Sequence, residues 1–361
     1  MELVLREMKP GEAKAVQSLA TKVFLSSLEG GPVPKPLTAW VAEINNKVVG
    51  AFIYTIENCR GKKLGFIDSL VVDAEFAGQG IASKLCAKGI SHLWSEECDC
   101  LATFVRDDNV GSWAAFEKVG FIRADFIKFV RTLGLSGFIK TYFKHLYGFG
   151  VGCDLYFTMR PEKATSLPTH SKKSGVGQIA LHLLMNFVLV LTLLTRNVGI
   201  ANVIRDHSLI VSLLTFFLIS FGGVILLGYV GALLSRRKWQ YRMPTGGLLL
   251  NFILGFFEIF LPIQGNWYPT RYENTSRFRM DMGVTGILPW LYIMGIFVAA
   301  GLWGDNLWFI YGGFQGIAGS LLLIRCIPIP LINFGAVRVY KWSKILWGIM
   351  VATSIFLLFF W

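Results

Sequence analysis

The sequence predicts a mixed α/β domain over residues 1–160, a linker over 161–175 and an all-α, multi-pass membrane domain over 176–361. Three observations predict it. Charge is unevenly spread, with 22 Lys/Arg and 18 Asp/Glu in residues 1–174 but 13 Lys/Arg and 5 Asp/Glu in residues 175–361. The whole chain of 361 residues is 53% hydrophobic with a mean hydropathy of +0.53, more apolar surface than one soluble domain buries. Strand-like and helix-like periodicities alternate in the first part, whereas long apolar runs fill the second.

In chain order, "LVLREM" (3–8) reads as a strand and "KPGEAKAVQSLATKVF" (9–24) as an amphipathic helix with Pro near its start. After the Gly/Pro-rich "EGGPVPKP" (29–36), strands 39–44 and 47–57 flank Asn45 and Asn46, a two-residue hairpin signal. "LGFIDSLVV" (64–72) is a strand, "DAEFAGQGIASKL" (73–85) a Gly-rich turn, and 80–97 a helix. A strand at 100–106 and a helix at 110–121, ending at Gly120, complete the alternation. The aromatic and Lys-rich stretch 131–161 ends in the strand "CDLYFTM". Its Lys140, Lys144, Tyr142 and Tyr147 face lipid headgroups, a substrate, or simply solvent on a helix packed against the sheet.

Residues Met1 to Lys22 have mixed charge and no apolar centre, unlike a secretory signal, so the N-terminal domain is expected in the cytoplasm. The net charge of +12 lies mostly beside apolar segments, which assigns it to membrane lipids rather than nucleic acid. Six cysteines, with no His/Cys spacing for zinc and no disulfide framework, read as reduced core thiols, and no metal is expected.

The turn 73–85 has chemical content. A strand, then Gly78-Gln79-Gly80-Ile81-Ala82, then a helix leaves backbone N–H groups at a positive helix end, where a diphosphate binds without side-chain cations. Together with "RDDNVGSWAAFEKVGF" (106–121), this segment resembles the cofactor-binding core of the GNAT acetyltransferase superfamily. The resemblance implies a splayed central sheet with flanking helices, acetyl-CoA as co-substrate and acetyl transfer to an amine. It implies that the amides of Gly78, Gln79, Gly80, Ile81 and Ala82 hold the diphosphate, that Leu70, Val71 and Val72 pair with the pantetheine arm, and that Asn109 contacts the cofactor or an ordered water. It also makes Asp68 the candidate base. The chain departs from the family twice: Ala77 stands where Arg or Gln is usual, and Phe116 where a proton-donating Tyr is common. Tyr142, Tyr147 and Tyr156 are then the candidate acids, unless the thiolate leaves unaided or the domain only binds the cofactor.

In the second half, apolar runs at 176–195, 208–234, 245–263, 284–303, 307–327 and 343–361 approach the ~20 residues that span a bilayer. Six crossings place most of the later Arg and Lys outside, against the positive-inside rule; a re-entrant 245–263 brings them back to the cytosol. Five spans and one re-entrant element are therefore expected. Glu258 is expected to pair with an Arg or to bind an amine, and Arg325 to snorkel from a span end. "YVGALLSRRKWQYRM" followed by "CIPIPLINFGAVRVYKW" resembles the membrane core of site-2 proteases, but without a His-Glu pair and with Asn333-Phe334 where that family has Asp.

These readings add up to a multi-pass cell-membrane N-acetyltransferase acting on an amine-bearing, membrane-associated acceptor such as an aminolipid, lipid-linked sugar, peptide or protein. The alternative is an acetyl-CoA sensor fused to a protease-like scaffold that binds a partner protein.

Overall fold

The computed structural model describes residues 2–26, 36–106, 109–123, 126–145, 153–160, 175–261, 263–271, 273, 275–303, 313–328 and 335–360. Its contacts divide the chain into two units, Met1–Lys172 and Lys173–Trp361.

The first unit is built on one seven-stranded sheet, ordered β1-β2-β3-β4-β5-β7-β6. Its strands are β1 (Leu3–Glu7), β2 (Thr38–Ile44), β3 (Lys47–Cys59), β4 (Lys62–Val72), β5 (Cys100–Arg106), β6 (Ile122–Arg123) and β7 (Cys153–Met159). Asn45 and Asn46 turn β2 into β3 with φ of 50° and 59°, the left-handed pair that a tight hairpin demands. Arg60 and Gly61 repeat the device between β3 and β4. Antiparallel pairing holds from β1 to β4, and β4 and β5 run parallel.

Helices cover both faces. On one face α1 (Ala13–Ser26) buries Val16, Leu19 and Ala20 against Ala51, Ile53 and Val71. The helix begins four residues later than its periodicity predicts, because Glu12 caps the turn at Lys9 and receives the Arg6 guanidinium. On the opposite face α2 (Ile81–Ser95) packs so closely that a Cβ on Gly89 would lie 2.3 Å from the Phe52 ring. The Asn109-capped α3 (Val110–Lys118) follows β5. Between β6 and β7 runs α4 (Phe126–His145), broken at Gly134 (φ 73°), whose Leu133 and Phe138 pack on Leu64, Phe66, Ala102, Leu155 and Phe157. Each such buried Leu or Phe contributes roughly 1.5–3 kcal/mol, which fixes α4 on the same face as α1.

The second unit is helical: α5 (Gly175–Val198), α6 (Ile200–Arg205), α7 (His207–Phe217), a π-helical turn Leu218–Gly223, α8 (Val224–Leu233), α9 (Thr245–Gly255), α10 (Ser276–Trp303), α11 (Gly313–Cys326), α12 (Ala336–Trp342) and α13 (Lys344–Phe360). Among the described residues, three stretches are long and apolar enough to cross a membrane: Gly175–Arg196, His207–Leu233 and Ser276–Leu302. They match three of the five expected spans. The 17 residues of α13 and the 14 of α11 are shorter, and residues 304–312 before α11 lie outside those described. An open apolar hollow of about 380 Å³ lies between α5 and α7, lined by Leu183, Phe187, Leu214 and Leu218 among others.

Residues 243–265 leave and return to one place. Their flanks, β8 (Trp239–Arg242) and β9 (Asn266–Pro269), pair antiparallel, with Arg242 opposite Asn266. The segment descends as α9, turns at Phe256–Glu258 and comes back without regular structure. Asn251, fully buried, fastens the return: its Nδ2 donates to the Leu261 carbonyl (2.7 Å) and its Oδ1 accepts from the Leu261 N–H (3.1 Å). At the turn Glu258 lies 3.4 Å from Arg196 of α5, the pairing expected of it. Arg325 differs from expectation. It is buried and donates to the side chain of Gln264, which lies two residues before β9.

Candidate active site at the parting of two strands

β4 and β5 pair only from Leu64–Cys100 to Ile67–Thr103, and the Thr103 hydroxyl closes the last step by donating to the Ile67 carbonyl (2.9 Å). Beyond it β4 continues to Val72 and β5 to Arg106 with no ladder between them. Leu70, Val71 and Val72 pair with Phe52, Ala51 and Gly50 on the β3 side, and on the other edge of this stretch there is no ladder with β5. Asp68 is the first residue past the last pair. It is also the extra residue of a bulge, since β3 moves from Ile53–Ser69 to Tyr54–Ile67 across it.

The loop after β4 is held from behind. Asp73, buried, caps the turn Ala74–Phe76, and Lys22 of α1 reaches it at 3.0 Å; that hydrogen bond holds its carboxyl below the usual carboxylate range. Gly78 and Gly80 then take φ of 82° and 74°, conformations that L side chains rarely adopt, and no atom lies within 4 Å of where either Cβ would be. Gly80 is the N-cap of α2 and offers no side-chain cap, so the first-turn N–H groups of Ile81 and Ala82 have no intrahelical partner. Gly78, Gln79, Gly80 and Ala82 are exposed, and Lys84 stands exposed in the same turn. Open amides, a positive helix end and space for close approach fit a diphosphate. Ala77, exposed and extended, adds no cation to it.

Asn109 accepts the Ser112 N–H as the cap of α3 (3.1 Å), a structural task at the place assigned to cofactor contact. Phe116 is buried edge-on against Phe121 (5.1 Å between centroids) and has no proton to give. Tyr156 is wholly buried on β7, between Leu155 and Phe157, which face α4; alternation puts its side chain on the opposite sheet face from Asp68. That placement removes it as partner to Asp68. Tyr147 lies outside the described residues, and of Tyr142 only the backbone, within α4, is described.

The sequence reading missed what meets Asp68. His145, at the end of α4, is buried with its Nδ1 2.7 Å from Asp68 Oδ1 and its Nε2 3.1 Å from Glu57 Oε1. Phe66 stacks on the ring at 3.8 Å, and Lys144 also donates to Glu57 Oε1. Burial alone raises the Glu57 carboxyl, but the hydrogen bonds from Lys144 and His145 outweigh it and hold the group below its ordinary value. The missed signal is the adjacent Lys-His at the end of a helix that faces one carboxylate on each of two neighbouring strands, Glu57 on β3 and Asp68 on β4. Nothing local marks it, because 77 residues separate His145 from Asp68 and 88 separate it from Glu57. Among the described residues no three His, Cys, Asp or Glu side chains are grouped to hold a metal ion.

Residues 18–121 match the acetyltransferase (GNAT) family. N-alpha-acetyltransferase MAK3 of Arabidopsis thaliana is 30% identical over 89 residues, 25% of this chain and 47% of its own length. N-alpha-acetyltransferase 30 of Schizosaccharomyces pombe is 30% identical over 89 residues, 24% of this chain and 59% of its own length. The chain thus spans about half the length of the curated relatives it matches. A crystal structure of the NatC complex bound to Gag peptide and CoA is similar over 44% of this chain and 99% of that one, at 18% identity and a TM-score of 0.32. A score that low adds nothing to the assignment, which rests on the family match and the two relatives.

Proposed function

Residues 18–121 being an acetyltransferase domain of the GNAT family, we propose that this chain transfers the acetyl group of acetyl-CoA to an amine of a membrane-associated acceptor. The observation that carries the reading is the parting of β4 from β5 beside the uncapped start of α2. Amides from Gly78 to Ala82 take the diphosphate, and the free edge at Leu70, Val71 and Val72 takes the pantetheine. Asn109 stands near the thioester, and Asp68 receives the proton that the attacking amine must lose. Two N-alpha-acetyltransferases among the relatives favour a polypeptide amine over a lipid or sugar amine.

The second unit brings that acceptor to the bilayer. Five spans with residues 245–263 re-entrant keep the transferase domain, and most loop Arg and Lys, in the cytoplasm. The paired flanks of that segment support its return to one side. Tyr142 and Tyr147 remain candidate acids in this reading. Phe116 and Ala77 favour the runner-up, a cofactor sensor whose membrane unit binds a partner protein.

Full-length protein in lipid, titrated calorimetrically with acetyl-CoA and then assayed for thiol release with peptide and lipid amines, separates the two. Binding with amine-dependent thiol release is the expected result. Binding without turnover, indifferent to Asp68→Ala, selects the sensor, and failure to bind acetyl-CoA removes both. Single cysteines placed at Arg271 and Arg279 should label from the cytoplasmic side; labelling only from outside refutes the re-entrant segment.

A further inference from the structure

His145 sits in an arrangement that fixes a proton count. An ionised carboxylate only accepts hydrogen bonds, and a neutral imidazole donates from one nitrogen and accepts at the other. Both ring nitrogens here face carboxylate oxygens, at 2.7 Å and 3.1 Å. The two contacts are both hydrogen bonds only if the group of three carries one proton beyond a neutral ring and two carboxylates. Burial makes the alternative costly, because a lone pair opposed to an oxygen has no water to turn to. From β3 the ring faces Glu57, from β4 it faces Asp68 and the uncharged Phe66, and from its own helix Lys144 supplies a second donor to Glu57. Charges among these described neighbours then sum to zero, with the imidazolium and Lys144 against the two carboxylates.

We propose that Glu57 and Asp68 hold one proton in store on the His145 ring, behind Asp68, so that the cluster gives the departing thiolate the proton that Phe116 cannot. The inference rests on the acetyl-transfer reading. Asp68, at the fork of β4 and β5, is the catalytic residue; His145 and Glu57 act through it as positioning residues. The amine nitrogen attacks the thioester carbon, the C–N bond forms, and the carbonyl electron pair moves to oxygen. Collapse of that intermediate breaks the C–S bond. The nitrogen's proton passes to Asp68 and the stored proton passes through Asp68 to the thiolate, so the cluster ends with the count it began with. Glu57 and Asp68 lie within residues 18–121, whereas His145 comes from α4, beyond the matched region.

The test reads the ring directly. Solid-state NMR of the full-length protein in phosphatidylcholine bilayers, labelled with ring-¹⁵N histidine, assigns His145 by its loss in His145→Gln. Expected is a ring carrying a proton on both nitrogens in the native protein at neutral pH, and on one nitrogen only in Glu57→Gln, whose amide can donate to Nε2. In Glu57→Gln the alkaline limb of kcat should move down by about one pH unit or more, with KM for acetyl-CoA within about twofold. Retained acetyl-CoA binding by calorimetry shows that the variant folds. A singly protonated ring in the native protein, or an unmoved limb in a folded Glu57→Gln, overturns the relay while leaving acetyl transfer standing. A doubly protonated ring without turnover on any amine overturns acetyl transfer, and the relay with it.

Discussion

Beyond Ile67 the β5-side edge of β4 runs unpaired along residues 68–72, and in the second unit the described residues between Gly255 and Asn266 likewise lie in no helix or ladder. The first stretch is left open, in a unit rich in charge, next to a loop whose glycines meet nothing within 4 Å. The second is closed by the chain itself, through two hydrogen bonds from Asn251 to Leu261 and burial of Gln264 against Arg325. Both begin from the same obligation to satisfy backbone N–H and C=O groups. At a solvated edge the obligation can be met by water or by a ligand. In apolar surroundings it cannot wait, and polar side chains are spent on it.

Breaking the open side at its chemistry should cost most. Asp68→Asn keeps the shape and removes the proposed base, and we expect kcat to fall about 10²- to 10⁴-fold with KM for acetyl-CoA within about threefold, measured by steady-state thiol release. A parallel collapse of cofactor binding would make Asp68 a structural residue instead. Next comes the loop. Gly80→Val puts a branched side chain at φ 74° and should weaken acetyl-CoA about 10- to 100-fold in calorimetry, since the backbone strain of roughly 1–3 kcal/mol is relieved by turning the amides away. Unchanged affinity would remove the loop from the site.

The closed side is broken by Asn251→Leu, which leaves the Leu261 N–H and C=O buried without their partner. Stability should fall by about 2 kcal/mol, seen as a lower unfolding temperature in lipid, while acetyl-CoA affinity stays the same. A stable variant would mean that the returning strand is held by packing alone. The smallest effect sharpens the open side: Ala77→Arg adds a cation beside the diphosphate amides and should tighten acetyl-CoA by up to about fivefold at low salt. No gain would show that the open amides already saturate the site.

How much of this was legible follows from how far apart the cooperating residues are. Asn45-Asn46, Gly78 and Gly80 announce their turns locally, because a positive φ is a demand that two or three residues settle among themselves. The strand "CDLYFTM" has the bounds its alternation predicts, since β7 packs a different environment on each face. Tyr156 looked like a candidate acid because a sequence lists residues without saying which side of a sheet they face. Arg325 looked free to snorkel because its acceptor, Gln264, lies 61 positions away.

The sequence by itself determined the division into a charged α/β part and an apolar helical part, the hairpin turns, and the loop that starts α2, since composition and short-range backbone preference are properties of neighbouring residues. Only the tertiary structure decided that β4 and β5 part at Ile67, that β8 and β9 bring residues 243 and 265 back together, and that Glu57, Asp68 and His145 share a buried cluster. Those outcomes depend on which distant surfaces exclude water together. Burial then turns a His at a helix end into a group that must find polar partners.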